Sequence, residues 1–279
     1  MSEGCLPLTT PVEALPLVYV DVETTGLSPT RGDRVCEIAL LRRHGTREVA
    51  RFESLVHPQR SVPETVTAVH GITDAMLTDA PPFPTVLPII QELLQGAIVV
   101  GHNVRFDVRF LRHEWQAAAQ PFTEPVLIDT LALAQTYYSF ASNSLSAIVE
   151  TLGIRHLPQH RAMADVLATW QVLERFIADM RQAGPVTLAH LMAPSHKSSA
   201  TDLTAMMTTL QQALPDKTPL YLRYRGWRAP ETVRVVQPLA VYYEGGHGFL
   251  RAFCHLRREE RSFRFDRIAE LNICSEDEA

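Results

Sequence analysis

Asp21 and Glu23 stand two residues apart in LVYVDVETTGL, where an apolar run gives way to a turn. Alternate residues of a strand share a face, so the two carboxylates lie side by side. They repel one another unless a cation sits between them, which makes the pair a metal-holding device. The bland alternative is a strand-end acid pair that holds nothing. Asp107, in VRFDVRFL, has the apolar neighbours Phe106, Val108 and Phe110. An acid on a largely buried helix wants a partner; capping that helix or facing solvent are the other roles open to it. Asp165 follows His160 by five residues in HRAMADVLATW. Five residues along one helix separate side chains by about 140°, so His160 belongs on the loop before that helix, reaching over the same place. Four carboxylates and a histidine, spread over three elements, meet the needs of phosphodiester hydrolysis with two divalent ions roughly 4 Å apart. A histidine neutral at about pH 7 can take the proton of an attacking water.

These residues need elements to carry them. Residues 17–22 read as a strand, and VCEIALLRRH and VARFESLVHP as two more, joined by a Gly-Thr turn into a meander. PPFPTVLPIIQELLQG reads as a helix closed by Gly96, and AIVVGHN as a short strand buried in mid-sheet. VRFDVRFLRHEWQAAA has a helical repeat with Asn103 as its cap, and VLIDTLALAQTYY gives a strand and a helix. In NSLSAIVETLGI, Asn143 or Ser144 caps a helix that Gly153 stops. The helix of RAMADVLATWQVLERFIADMRQ places Met163, Val166, Trp170, Leu173 and Ile177 on one side. Strands first, then strands alternating with helices, predict an α/β domain with a mixed sheet over residues 1–182. Residues 183–217 are small and polar around APSHKSSATD and predict a linker with a possible short helix. Residues 218–279 predict a small β domain built from LYLRYRGW, TVRVVQPLAVYYE, FLRAFCHL and RSFRFDRI.

The 279 residues are 46% hydrophobic and 20% charged, an ordinary globular composition, and the net charge of −5 excludes a generic polyanion binder. Charge is uneven: residues 218–272 hold ten Arg and no Lys against six acids. Cys5, Cys36, Cys254 and Cys274 show no metal-binding spacing and are expected as free thiols in a reducing compartment. The first residues lack a signal peptide's basic and apolar regions, and no stretch reaches the ~20 apolar residues of a membrane span. A cytoplasmic protein without membrane contact is the expectation. P-loop and zincin motifs are absent from the sequence.

With these motifs quoted, the chain resembles the DEDD-type 3′–5′ exonucleases of the His subtype, the family that includes the proofreading epsilon subunit of bacterial DNA polymerase III. VDVETTGL matches the first family motif, GHNVRFDVRFL the second and HRAMADVLA the third; VHGITDAML, IDTLALA and NSLSAIVETLGI also have counterparts. The resemblance covers roughly residues 15 to 180. It implies a ribonuclease H-like fold with a five-stranded mixed sheet. It implies ligation of two ions, Mg²⁺ or Mn²⁺, by Asp21, Glu23, Asp107 and Asp165, with His160 as general base. Thr24, Thr25 and Gly26 would approach the terminal nucleotide and Leu27 would wedge at the last base. The implied substrate is nucleic acid with a free single-stranded 3′ end, DNA favoured over RNA. His70 and His102 read as structural; His102 and Asn103 are also near enough to Asp107 in sequence to touch substrate. Asp129 either orders the site from behind or caps a helix.

The last sixty residues resemble a WYL domain, an SH3-like β-barrel module of bacterial regulators and defence proteins. The proline after a strand, FLRAFCHLR and RSFRFDRI carry the resemblance, while Gly248-Phe249-Leu250 replaces the namesake Trp-Tyr-Leu. It implies binding of nucleic acid, a regulatory ligand or a protein by basic residues, here His255, Arg257, Arg264 and Arg267. Strand alternation through RSFRFDRI puts Phe263, Phe265 and Arg267 on one face and Arg264 on the other. Two further readings stand beside a free-standing repair, processing or defence nuclease: a polymerase accessory subunit, and a catalytically silent binding protein that keeps the nuclease fold as scaffold.

Overall fold

The computed structural model describes residues 6–154, 161–192, 200–225, 231–244 and 247–274. The chain packs as two units, one from Val12 to Val186 and one formed by residues 6–11 with 187–274.

The first unit opens with three antiparallel strands, β1 (Pro16–Thr24), β2 (Val35–His44) and β3 (Arg47–Leu55). Gly45 makes the β2–β3 turn with a left-handed φ of 55°, and the Arg43 guanidinium holds the Thr46 carbonyl. Three helices follow: α1 (Glu64–His70), α2 (Asp74–Leu77) and α3 (Phe83–Leu94). Phe83, Val86, Leu87, Ile90 and Leu93 form the buried stripe of α3, at helical spacing. Then strands and helices alternate: β4 (Ile98–Gly101), α4 (Arg105–Ala117), β5 (Leu127–Asp129), α5 (Thr130–Tyr137), α6 (Leu145–Thr151) and α7 (Ala162–Met180). The sheet order is β3-β2-β1-β4-β5, with β4 and β5 parallel to β1 and β2 antiparallel to it. This is the expected five-stranded mixed sheet.

β1 is the centre of that sheet, and Leu17–Val20 are buried on both faces as a central strand requires. Its partner β4 pairs only as far as Tyr19↔Val100. The last residues of β1 therefore run past the end of β4, and that overhang positions the site. α7 packs across β1 and β2 through Val166, Val172, Leu173, Phe176 and Ile177. Ser144, not Asn143, caps α6 by accepting the Ala147 N–H. The cap of α4 is Val104, not Asn103. Asn103 sits at φ 64°, turning the chain out of the sheet in a conformation that Asn tolerates better than most residues.

The second unit contains α8 (Leu188–Leu191), α9 (Ala200–Ala213) and strands β6 (Leu220–Arg225), β7 (Glu231–Glu244), β8 (His247–Cys254), β9 (Glu259–Arg264) and β10 (Ile268–Ile273). All pairings are antiparallel, in the order β10-β6-β7-β8-β9. Among the described residues β9 and β10 are the two edges, so the ladder does not close into a barrel. RSFRFDRI, expected as one strand, is cut by a 3-10 turn at Phe265–Arg267, after which β10 returns to pair with β6. Cys36, Cys254 and Cys274 carry free thiols. No described helix is long and apolar enough to cross a membrane.

Candidate metal centre at the end of the central strand

The overhang of β1 exposes what its pleat selects. Val20 and Val22 turn into the core, and Asp21 and Glu23 turn to the other face, half-buried. The first turn of α7 brings Asp165 to them. One oxygen from each of the three carboxylates lies within 4.8 Å of the others. Asp107 is not in that trio. It is buried, and its Oδ1 accepts the Val22 N–H at 3.0 Å, so α4 is fastened to β1 between the two strand acids. Burial first, then the Asp107, Asp165, Glu23 and Glu37 charges, push the Asp21 carboxyl well above its usual range. Burial, Asp165 and Glu37 push Glu23 up to about 8, against the pull of Arg161. Asp107 is raised mainly by burial, although N–H donors oppose this. Such crowding is unfavourable without positive charge, and the donors are all hard oxygens. The set fits a divalent cation of the Mg²⁺ or Mn²⁺ type. His160 lies outside the described residues.

The turn after β1 is held from within. Thr24 Oγ1 donates to the Gly26 carbonyl at 2.6 Å, and Thr25 Oγ1 accepts the Arg34 N–H at 3.0 Å. Both threonines are buried, and their hydroxyls shape the turn. Gly26 is required by close approach: a Cβ there would meet the Asp33 carboxyl carbon at 2.5 Å. Leu27 stands out at 78% exposure, its carbonyl held by Arg109 of α4 at 3.0 Å. His102 is a brace, with Nδ1 sharing a hydrogen bond with Thr130 Oγ1 at 3.0 Å and Nε2 donating to the Asn143 carbonyl at 2.9 Å. Both ring nitrogens are thus occupied within the unit. Asn103 is exposed. Asp129 caps α5 through the Leu131 N–H, one of the two roles open to it, and also accepts the Asn103 N–H. His70 is buried, accepting the Ile72 N–H beside Cys36.

The family described as Exonuclease matches residues 18–173, more than half the chain. The chain belongs to the exonuclease family. A WYL domain matches residues 205–273. A DNA polymerase III subunit epsilon-like protein of Rhodobacter capsulatus is 36% identical over 67% of this chain and 27% of its own length. The 3′-5′ exonuclease DinG of Bacillus subtilis is 30% identical over 78% of this chain and 24% of its own. The chain thus spans about a quarter of these curated relatives. A solved structure of exonuclease I superposes with a TM-score of 0.55 at 18% identity, over 86% of this chain and 55% of that one, a likeness of fold.

In the WYL unit, His255 and Arg257 are exposed beyond the end of β8, with the His255 ring edge-on to Phe253. Arg264 ends β9, and its N–H donates to the Tyr224 hydroxyl at 3.3 Å. Arg267 lies in the 3-10 turn with Phe265, so strand alternation does not relate it to Arg264 or to Phe263, which stays in β9 and is 2% exposed. Phe265 covers Gly248, where an added Cβ would meet its ring at 2.5 Å.

The exonuclease unit also holds functional candidates that sequence reasoning missed. Glu37 of β2 is one, clasped by Arg161. The Arg34–Glu114 fork at 2.8 and 2.6 Å is another, tying the turn to α4. Glu37 carried a signal, an acid inside the apolar run VCEIALL that must find a partner; Glu114, in LRHEWQ, carried none of that kind.

Proposed function

We propose that the chain is a divalent-metal-dependent 3′–5′ exonuclease acting on single-stranded 3′ ends, DNA in preference to RNA. The observation that carries this reading is the convergence of Asp21, Glu23 and Asp165 beside Asp107 at the overhanging end of β1. Family membership and relatives named for DNA polymerase III and for 3′–5′ exonuclease support the direction and the preference for DNA. Two Mg²⁺ or Mn²⁺ ions bound there would supply positive charge at the scissile phosphate and a water acidic enough to attack. The chain's own residues do the rest. Asp21, Glu23, Asp107 and Asp165 hold the ions, and His160 takes the proton of the attacking water. The backbone of the Thr25–Gly26 turn approaches the terminal nucleotide, with Asn103 on the other side. Leu27 lies against the last base.

We read the second unit as an SH3-like WYL module that binds nucleic acid or a regulatory ligand through His255, Arg257, Arg264 and Arg267. A free-standing role in repair, processing or defence suits this pairing.

The test uses 5′-labelled single-stranded DNA and RNA with Mg²⁺, Mn²⁺ or EDTA, beside Asp21→Ala. The expected result is a metal-dependent ladder shortening from the 3′ end, faster on DNA and lost in Asp21→Ala. Cutting that survives in EDTA or in the variant overturns the reading.

A further inference from the structure

Helix α7 begins without a cap of its own. Its N-cap, Arg161, has extended backbone and makes no side-chain cap bond, so the first N–H groups need acceptors from elsewhere. Ala162 N–H finds one in Glu37 Oε2, at 2.9 Å, from the middle of the sheet. The Arg161 guanidinium then grips the same carboxylate: Nε at 3.0 and 3.2 Å from its two oxygens and Nη2 at 2.6 Å from Oε1. Glu37 is 6% exposed. A carboxylate at a helix N-terminus is favoured by the helix dipole as well.

Two further facts tie this clasp to the metal centre. In the β1–β2 register Glu37 is the direct partner of Glu23, so the two side chains rise from one face as neighbours. Asp165 donates its N–H to the Arg161 carbonyl at 3.1 Å, one helical turn along the same side of α7. The residue gripped and the residue that ligates are thus fixed to one another by the helix, and the grip comes from beside the other ligand. We infer that Glu37 is a positioning residue: it sets Asp165 against Asp21 and Glu23 by anchoring the first turn of α7 to β2. With both oxygens engaged by N–H donors, Glu37 is not itself a ligand. The inference rests on reading the acid cluster as a metal centre.

The experiment titrates Mn²⁺ calorimetrically into metal-free full-length protein, without substrate, for wild type, Glu37→Ala, Glu37→Gln, Arg161→Ala and Asp21→Asn. Thermal unfolding and the kcat and KM for a labelled oligonucleotide are measured alongside. Partners that orient metal ligands typically contribute 10–100-fold. Glu37→Ala should therefore bind Mn²⁺ about tenfold or more weakly, with kcat falling and KM nearly unchanged. Glu37→Gln keeps an acceptor for Ala162 and should recover part of the loss. If Glu37→Ala does not fold, Glu37→Gln and Arg161→Ala still decide. A wild type that binds Mn²⁺, with folded variants within about twofold of it, overturns the inference alone. Glu37→Gln as defective as Asp21→Asn also overturns it, by making Glu37 a ligand. A wild type that binds no Mn²⁺ overturns the metal reading beneath it. Glu37-dependent binding in a protein that cuts nothing upholds the positioning and removes the nuclease.

Discussion

Beneath the exposed Leu27, the Asp33 carboxyl group leaves no room for a side chain on Gly26. That carboxylate accepts the Ser28 N–H and the Arg60 guanidinium, so Gly26→Ala must displace a group that organises the whole turn. Overpacking of this kind costs about 1–3 kcal/mol. Urea denaturation should show a loss in that range, and cleavage should slow as Leu27 shifts; unchanged values would mean that the turn yields freely. His102 offers a second residue-scale expectation. Burial holds its imidazole below the usual 6.5, against a smaller pull from the Asn143 carbonyl. A lowered folded-state value means that the neutral ring stabilises the fold above pH 6.5, and that this is lost as pH falls through the depressed value. Melting temperature should drop more steeply between pH 7.5 and 5 in wild type than in His102→Gln, about that midpoint. Parallel curves would remove His102 from the account.

Elements show why some of this was legible and some not. The strand pleat sends Asp21 and Glu23 to one side whatever the fold around them, so their pairing could be read directly. The partner of Glu37 could not: VCEIALL looks like any buried strand, and Arg161 is 124 residues away. Asn103 misled because a residue before a helix usually caps it, whereas here its backbone turns left-handed and the cap passes to Val104. β10 was hidden because RSFRFDRI alternates well on paper, and nothing local marks the 3-10 turn inside it. Ion pairs separate in the same way. Glu114, with a side chain 1% exposed, takes the Arg34 fork and the Val35 N–H, so Glu114→Ala strands a cation and should cost roughly 3–5 kcal/mol in chemical denaturation. Arg51–Glu48, about 40% exposed on both sides, should change stability by less than about 1 kcal/mol on Arg51→Ala. Equal losses would contradict this use of burial.

At the scale of the whole molecule, the exonuclease unit was readable from its motifs, and the division of labour with the WYL unit is where solution behaviour should diverge. Each phosphate contact on a single strand contributes about 0.7 to the slope of log affinity against log salt. If Arg257, Arg264 and Arg267 meet phosphates, a chain ending at Val186 should bind single-stranded DNA with a slope shallower by roughly two, while retaining its metal-dependent chemistry. Equal slopes in full-length and shortened Asp21→Asn proteins would take nucleic acid away from the WYL unit.

The centre draws on β1 near the start of its unit and on α7 at its end. During synthesis Asp21, Glu23, Glu37 and Asp107 leave the ribosome long before Asp165. Bringing the late helix back is cheap once it exists, because loop-closure entropy grows only slowly with length. Before then, no growing chain carries the third carboxylate or the clasp that seats it. The centre is thereby the last part of its unit that synthesis can complete, and the order of translation decides when it first exists.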